Sequence, residues 1–263
     1  MPPRLVELEL SHDLALVTMN NPASFNAMDQ NLGPQLAHTL EELARRPRVR
    51  AVVLTGAGGI FSGGGNLARA AEYCRRHGGA GALFGRYTQW VNRVLAALVH
   101  LPQPLVCAVH GAAAGGGLAW MLAADVVVCD QEAKLVPGFL GVGLVPGAGV
   151  SLTLGRLLGP RRAAELLLCN RPLSPRQALE WGLVHRLAPA EEVLPSALEL
   201  ARELAQGPAP ALAATKDLLH RAAHQGLEPL AEREREQVMR VADLAEFARR
   251  VERFLARTRG KAD

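Results

Sequence analysis

Two glycine-rich stretches hold most of the chemistry this sequence offers. Residues 105–125 read Leu-Val-Cys-Ala-Val-His-Gly-Ala-Ala-Ala-Gly-Gly-Gly-Leu-Ala-Trp-Met-Leu-Ala-Ala-Asp. Residues 51–67 read Ala-Val-Val-Leu-Thr-Gly-Ala-Gly-Gly-Ile-Phe-Ser-Gly-Gly-Gly-Asn-Leu. In each, a short apolar run of strand character meets a glycine turn, and a helix is expected to follow. Glycine lets a backbone come close to a ligand because no Cβ intervenes. The first N–H groups of a helix lack intrahelical partners and sit at the positive end of its dipole. Such an N–H can hold a phosphate, a carboxylate or a developing oxyanion. For one turn, tight packing of a helix on a strand explains the glycines equally well. Two turns, each after a buried strand, suggest two donors facing one site.

Other chemistries find less support. The sequence has no GxxxxGK[ST] loop, no GxSxG elbow, and no GxGxxG in the first glycine turn. His220 and His224 are one helical turn apart, but no third ligand is evident, so a solvated helix face is expected and no metal. His110 reads as a strand-end residue. Cys74, Cys107, Cys129 and Cys169 are widely spaced without a CxxC, which predicts reduced thiols and a cytoplasmic protein. No apolar run reaches the ~18 residues of a membrane span, and no signal-peptide pattern opens the chain.

The elements that must position the turns follow from periodicity. Alternation over Val6–Leu10 and Leu14–Thr18 predicts a β-hairpin, and Asn20–Met28 a turn-rich loop. A helix from Asp29 to Arg46 carries Leu32, Leu36, Leu40 and Leu43 on one face, and a strand covers Val49–Leu54. The glycines and alanines of residues 75–85 predict a mobile loop, followed by a helix over Arg86–Leu101. A strand over Asp125–Cys129, a loop over 137–149 and helices from Val150 and Arg161 come next. Ser174 caps a further helix that Gly182 ends, ahead of a strand over Leu183–Leu187. From Glu191 the chain reads as helical, with breaks at Gly207-Pro208 and Gln225-Gly226. The stretch from Glu228 to Arg259 reads as one long helix whose apolar stripe needs a partner.

The 263 residues suffice for one large domain, and 49% are hydrophobic, enough for a sizeable core. The formal charge is +4, and arginines are frequent in the last third. These suit a solvated helix face, with an anionic partner such as a phosphorylated cofactor or RNA as the alternative.

The segments GGIFSGGGNL (58–67) and AVHGAAAGGG (108–117) resemble the paired signatures of the crotonase superfamily, the enoyl-CoA hydratase and isomerase family. GLVPGAG (143–149) and LSPRQALEWGLV (173–184) are similar to further segments of that family. The resemblance implies an α/β fold. A ββα spiral core would span residues 1–190 and a helical oligomerisation region residues 191–263, assembling a homotrimer or hexamer. It implies a coenzyme A thioester as substrate, with no resident cofactor, and a carbonyl held by the N–H groups of Gly65 and Gly116. Ser24, Phe25, Ala27, Gly63, Gly65, Asn66, Leu67, Gly116 and Phe139 would bind CoA or the acyl group. Asn21 and Ser24 stand where the family usually has arginine and often lysine.

The resemblance also locates the family's acids, and this chain lacks them. The two glutamate positions of hydratases hold Ala119 and Phe139, and the aspartate position of some isomerases holds Gly147. The pocket is therefore expected to be apolar, with Ala119, Phe139, Leu144 and Trp120 around it. Glu72, Tyr73, His77 and Tyr87 flank or lie in the expected loop as substitute candidates. The function implied is enolate chemistry on an acyl-CoA, with double-bond isomerisation ahead of decarboxylation and hydration inefficient. A member that has lost catalysis and binds RNA or protein is the remaining alternative.

Overall fold

Alternation of apolar residues builds the sheet at the centre of the molecule. The computed structural model describes residues 3–259, apart from the side chains of His224 and Arg259. β1 (Val6–Ser11) and β2 (Leu14–Met19) form the antiparallel hairpin. β3 (Ala51–Gly56), β4 (Leu105–Val109), β6 (Val126–Asp130) and β8 (Arg186–Ala188) add in parallel, giving the order β1-β2-β3-β4-β6-β8. β5 (Ala112–Ala114) and β7 (Lys134–Val136) form a second, parallel two-stranded sheet. Single bridges from Ser62 to Ala113 and from Leu135 to Leu173 extend that second sheet. The chain thus returns repeatedly to both sheets: β3 then Ser62, β4 then β5, β6 then β7, and Leu173 then β8.

The main sheet is buried on both faces, as parallel strands between helices are. Val52, Leu54, Cys107, Val109, Val127 and Cys129 face one core with α1 (Leu32–Ala44) and α3 (Gly81–Val99). Ala51, Val53, Val106, Ala108 and Val128 face Val193, Ala197, Ala201 and Ala205 of α7 (Ala190–Ala205). The alanine stripe lets α7 lie close to the strands.

Several expectations need correction. Residues 75–85 are not a loop: α2 (Leu67–His77) and α3 are joined only by residues 78–80. Tertiary contacts override the glycines there. Leu83, Phe84 and Tyr87 are buried with Phe247, and Asp243 Oδ1 accepts the Gly81 N–H at 2.6 Å near the start of α3. Helix α1 begins at Leu32, and Asp29 Oδ1 accepts the N–H groups of Asn31 and Leu32 at 2.8 and 3.1 Å. The helix expected to run unbroken from Glu228 is two: α9 (Leu227–Ala242) and α10 (Ala245–Arg259). Part of their stripe is covered by the same chain, since Val238, Phe247 and Val251 are buried against residues of α2 and α3, while Leu244 and Phe254 stay 51% and 43% exposed.

His220 is not on a solvated face. It lies on α8 (Ala209–His224), with Nε2 2.8 Å from Asp125 Oδ1. Asp125 Oδ2 accepts from Lys216 Nζ at 2.6 Å and from the Leu105 N–H at 2.7 Å, so α8 is bolted to β4. Burial alone would raise the Asp125 pKa, but hydrogen bonds and charge from His220 and Lys216 hold it below the ordinary carboxylate value. The His224 side chain lies outside the described residues. Tail arginines pair with acids on their own helices, as in Arg221–Asp217, Arg235–Glu232 and Arg249–Glu246, which fits solvated helix faces. Among the described residues, no helix is long and apolar enough to cross a membrane.

Candidate active site

Both glycine turns leave the same end of the sheet, because β3 and β4 are parallel neighbours. The Ser62 N–H donates to Ala112 O at 3.0 Å and the Ala114 N–H to Ser62 O at 2.9 Å, which binds the first turn to β5. Two glycines permit the approach. A Cβ on Gly64 would lie 2.5 Å from Ala114 O, and one on Gly117 2.6 Å from Ser62 O. Gly64 also has φ +86°, which side-chain-bearing residues rarely adopt.

Some N–H groups of the two turns are used within the fold. The Gly63 N–H donates to Phe25 O at 2.8 Å and the Gly64 N–H to Ser62 Oγ at 3.2 Å. The Gly115 N–H donates to Val136 O at 3.0 Å. The N–H groups of Gly65 and Gly116 donate to no acceptor among the described residues. Gly116 is the first residue of α4 (Gly116–Leu122), so its N–H also lies at the positive end of a helix dipole.

Both residues line one cavity of about 270 Å³. Its wall includes Met28, Gly63, Leu67, Phe84, Tyr87, Thr88, Val91, Val136, Phe139, Val142, Leu144, Gly147, Val238 and Phe254. Among the described residues it contains no carboxylate, imidazole or amine. Thr88 Oγ1 donates to Phe84 O at 2.7 Å and is satisfied. The Tyr87 hydroxyl is covered and has no hydrogen-bond partner among the described residues. Burial pushes the Tyr87 phenol up to about 12, so it stays neutral at neutral pH.

Of the residues expected from the sequence, Gly63, Gly65, Leu67, Gly116 and Phe139 meet in this wall. Asn66 instead caps α2, its Oδ1 accepting the Arg69 N–H at 3.1 Å. Ser24, Phe25 and Ala27 are not among the wall residues, and Phe25 is 64% exposed next to Gly63. Leu144 and Gly147 are wall residues, whereas Ala119 and Trp120 are buried in the core and absent from the wall. Of the loop candidates only Tyr87 reaches the cavity. Glu72 is exposed and paired with Arg76, and the Tyr73 ring stacks on His77 with centroids 4.2 Å apart.

Two supporting residues escaped the sequence reading. Asn26 is fully buried, and its Nδ2 donates to Ala57 O and Ile60 O at 2.9 and 2.8 Å, tying the Asn20–Met28 loop to the first turn. A buried asparagine in a turn-rich loop was the available signal. Glu234 of α9 accepts the Gly149 N–H at 2.6 Å, the Ser151 N–H at 3.2 Å and the Ser151 hydroxyl. It thereby caps α5 (Val150–Cys169), the helix that follows the wall residues Gly147 and Ala148. Burial raises the Glu234 pKa, opposed by those hydrogen bonds.

The family model for enoyl-CoA hydratase/isomerase matches residues 9–260. The chain belongs to the enoyl-CoA hydratase/isomerase family. It is 32% identical to a 1,2-epoxyphenylacetyl-CoA isomerase of Escherichia coli K12, over 96% of this chain and 97% of that protein. It is 30% identical to 4-chlorobenzoyl coenzyme A dehalogenase-2 of an Arthrobacter species, over 95% of this chain and 90% of that one. A solved enoyl-CoA hydratase from Mycobacterium avium subsp. paratuberculosis K-10 superposes with a TM-score of 0.86 at 30% identity, covering 97% of each chain. The architecture is that of the crotonase fold, with the C-terminal helices present.

Proposed function

We propose that this chain binds an acyl-CoA with its thioester carbonyl on the Gly65 and Gly116 N–H groups and takes it through an enolate without adding water. The supporting observation is the pairing of two unused N–H donors with a wall that carries no carboxylate. Such donors act on the charge that develops at oxygen. Hydration needs in addition a base for the water and an acid for Cα, and no wall side chain is suited to either.

Two reactions reach that enolate. Decarboxylation of a β-carboxyacyl thioester breaks the bond between Cα and the carboxylate carbon. Carbon dioxide leaves, the electron pair passes to the thioester oxygen, and one proton from solvent later returns to Cα. It needs no base, and the apolar wall disfavours the starting carboxylate more than carbon dioxide. Double-bond isomerisation, the first expectation from the sequence, needs a group that takes a proton from Cα and returns it at Cγ. The neutral Tyr87 phenol is a poor candidate. The geometry therefore supports decarboxylation best. Isomerisation is the second reading, favoured by the 32% identical isomerase. The test offers the purified protein methylmalonyl-CoA, 3-hexenoyl-CoA and crotonyl-CoA. Carbon dioxide release from the first supports decarboxylation, and conjugated enoyl-CoA from the second supports isomerisation. Efficient hydration of the third overturns both.

In this reading the CoA thioester is the substrate and no resident cofactor is required. The protein assembles as a homotrimer or hexamer, a reading supported by Leu218 and Leu219, which α8 leaves 69% and 64% exposed. A monomer in sedimentation at micromolar concentration argues against it. The RNA-binding alternative loses support from the pairing of tail arginines with acids, and an RNA shift assay across salt concentrations tests it.

A further inference from the structure

Two phenyl rings of the wall, Phe84 and Phe139, stand near the glycine turns. A Cβ built on Gly65 would lie 3.9 Å from Phe84 Cε1, and one on Gly115 would lie 3.9 Å from Phe139 Cε1. One phenyl ring thus faces each glycine turn across the space that a side chain there would fill. Phe84 is held in place by edge contacts with Tyr87, centroids 6.0 Å apart at 74°, and with Phe247, 5.4 Å apart at 84°. Tyr87 is itself a wall residue, and its covered hydroxyl leaves the ring as its contribution. An acyl group whose thioester carbonyl lies on Gly65 and Gly116 therefore shares this cavity with the rings of Phe84, Tyr87 and Phe139.

Size narrows the choice. The cavity of about 270 Å³ falls just below the ~300–1,000 Å³ of sites that take a whole drug-sized molecule. It suits one ring and a short linker better than a long alkyl chain.

We infer that the acyl group this site takes is planar and aromatic, joined to the thioester by at most a short linker. The inference rests on the acyl-CoA reading above and adds the substrate class to it. Aromatic rings prefer offset or edge-to-face contact with other rings, beyond the area that is buried. The chemistry agrees with the packing. An aryl group on Cα delocalises the enolate into its own ring, so the intermediate is reached more easily where the wall offers no base.

The test measures dissociation constants of the wild-type protein for CoA, butyryl-CoA, cyclohexylacetyl-CoA and phenylacetyl-CoA by isothermal titration. Cyclohexylacetyl matches phenylacetyl in carbon count and is no less apolar, but is not flat. Phenylacetyl-CoA is expected to bind about fivefold to tenfold more tightly than cyclohexylacetyl-CoA. Phe139→Leu, checked for folding by circular dichroism, is expected to reduce that ratio toward unity. Cyclohexylacetyl-CoA binding as tightly as phenylacetyl-CoA overturns the aromatic class while leaving the acyl site intact. Equal affinity for CoA and all three thioesters overturns the acyl-site reading itself.

Discussion

Replacing Gly116 by proline removes one oxyanion donor with little other disturbance. Gly116 is the first residue of α4, where proline is well tolerated because its missing N–H has no intrahelical partner. A Cβ at this position meets nothing within 4 Å. Gly115 before it has φ 51° and ψ −116°, an extended glycine conformation of the kind a following proline accepts. The variant should therefore melt close to the natural protein. Loss of one oxyanion donor costs about 3 kcal/mol of transition-state stabilisation, or roughly 10²–10³-fold in rate. Gly64→Ala supplies the contrast. Its Cβ would meet Ala114 O at 2.5 Å and its φ of +86° is strained for alanine, so it should lower stability by ~1–2 kcal/mol or more. The assay is kcat/KM for whichever of carbon dioxide release or double-bond migration the natural protein performs, with a thermal melt beside it. A folded Gly116→Pro protein that turns over at the natural rate would refute the donor assignment.

Further predictions concern the acids and the buried charges. Crotonyl-CoA hydration should be very slow, since losing a general acid or base typically costs ~10²–10⁴-fold each. A natural rate near the ~10 s⁻¹ of ordinary enzymes would contradict this. Burial raises the Glu234 pKa above its ordinary 4.5, so its protonated form favours the fold. That contribution is complete below pH 4.5 and is lost as pH rises through the raised value. Thermal melts from pH 4 upward should show the natural protein losing ground to Glu234→Gln, and a pH-independent gap would contradict the assignment. Asp125→Ala leaves the Lys216 ammonium buried without its carboxylate, and should cost ~3–5 kcal/mol in urea unfolding. A loss below about 1 kcal/mol would mean that the cluster behaves like a surface ion pair.

The sequence made some parts of this protein readable and hid others for physical reasons. β3, β4 and the two turns were legible because strand, glycine run and helix follow one another within a few residues, so local preference and fold agree. Gly65 and Gly116 came from the family resemblance, and their N–H groups donate to no acceptor among the described residues. The helical character of residues 81–85 was hidden, since what holds Phe84 is Phe247, more than 160 residues away. The same distance concealed Val238 and Phe254 as cavity wall. Their stripe read as a surface seeking a second chain, while much of it is covered by α2 and α3. His220 was misread because a histidine on a helix face gives no sign that Asp125 waits beneath it. Ala119 and Phe139 were recognised as non-acids, but only coordinates separate the wall residue Phe139 from the core residue Ala119.

The central claim is that two backbone N–H groups grip a thioester carbonyl, and vibrational spectroscopy tests this without knowledge of the reaction. Infrared difference spectra of phenylacetyl-CoA carrying carbon-13 at the carbonyl would be recorded free, bound to the natural protein, and bound to Gly116→Pro. Two preorganised donors polarise the carbonyl, so its stretch should move to lower wavenumber on binding, and the movement should shrink when the Gly116 donor is removed. A carbonyl band that stays at its free position in the natural protein, or that shifts equally in both proteins, would contradict the account.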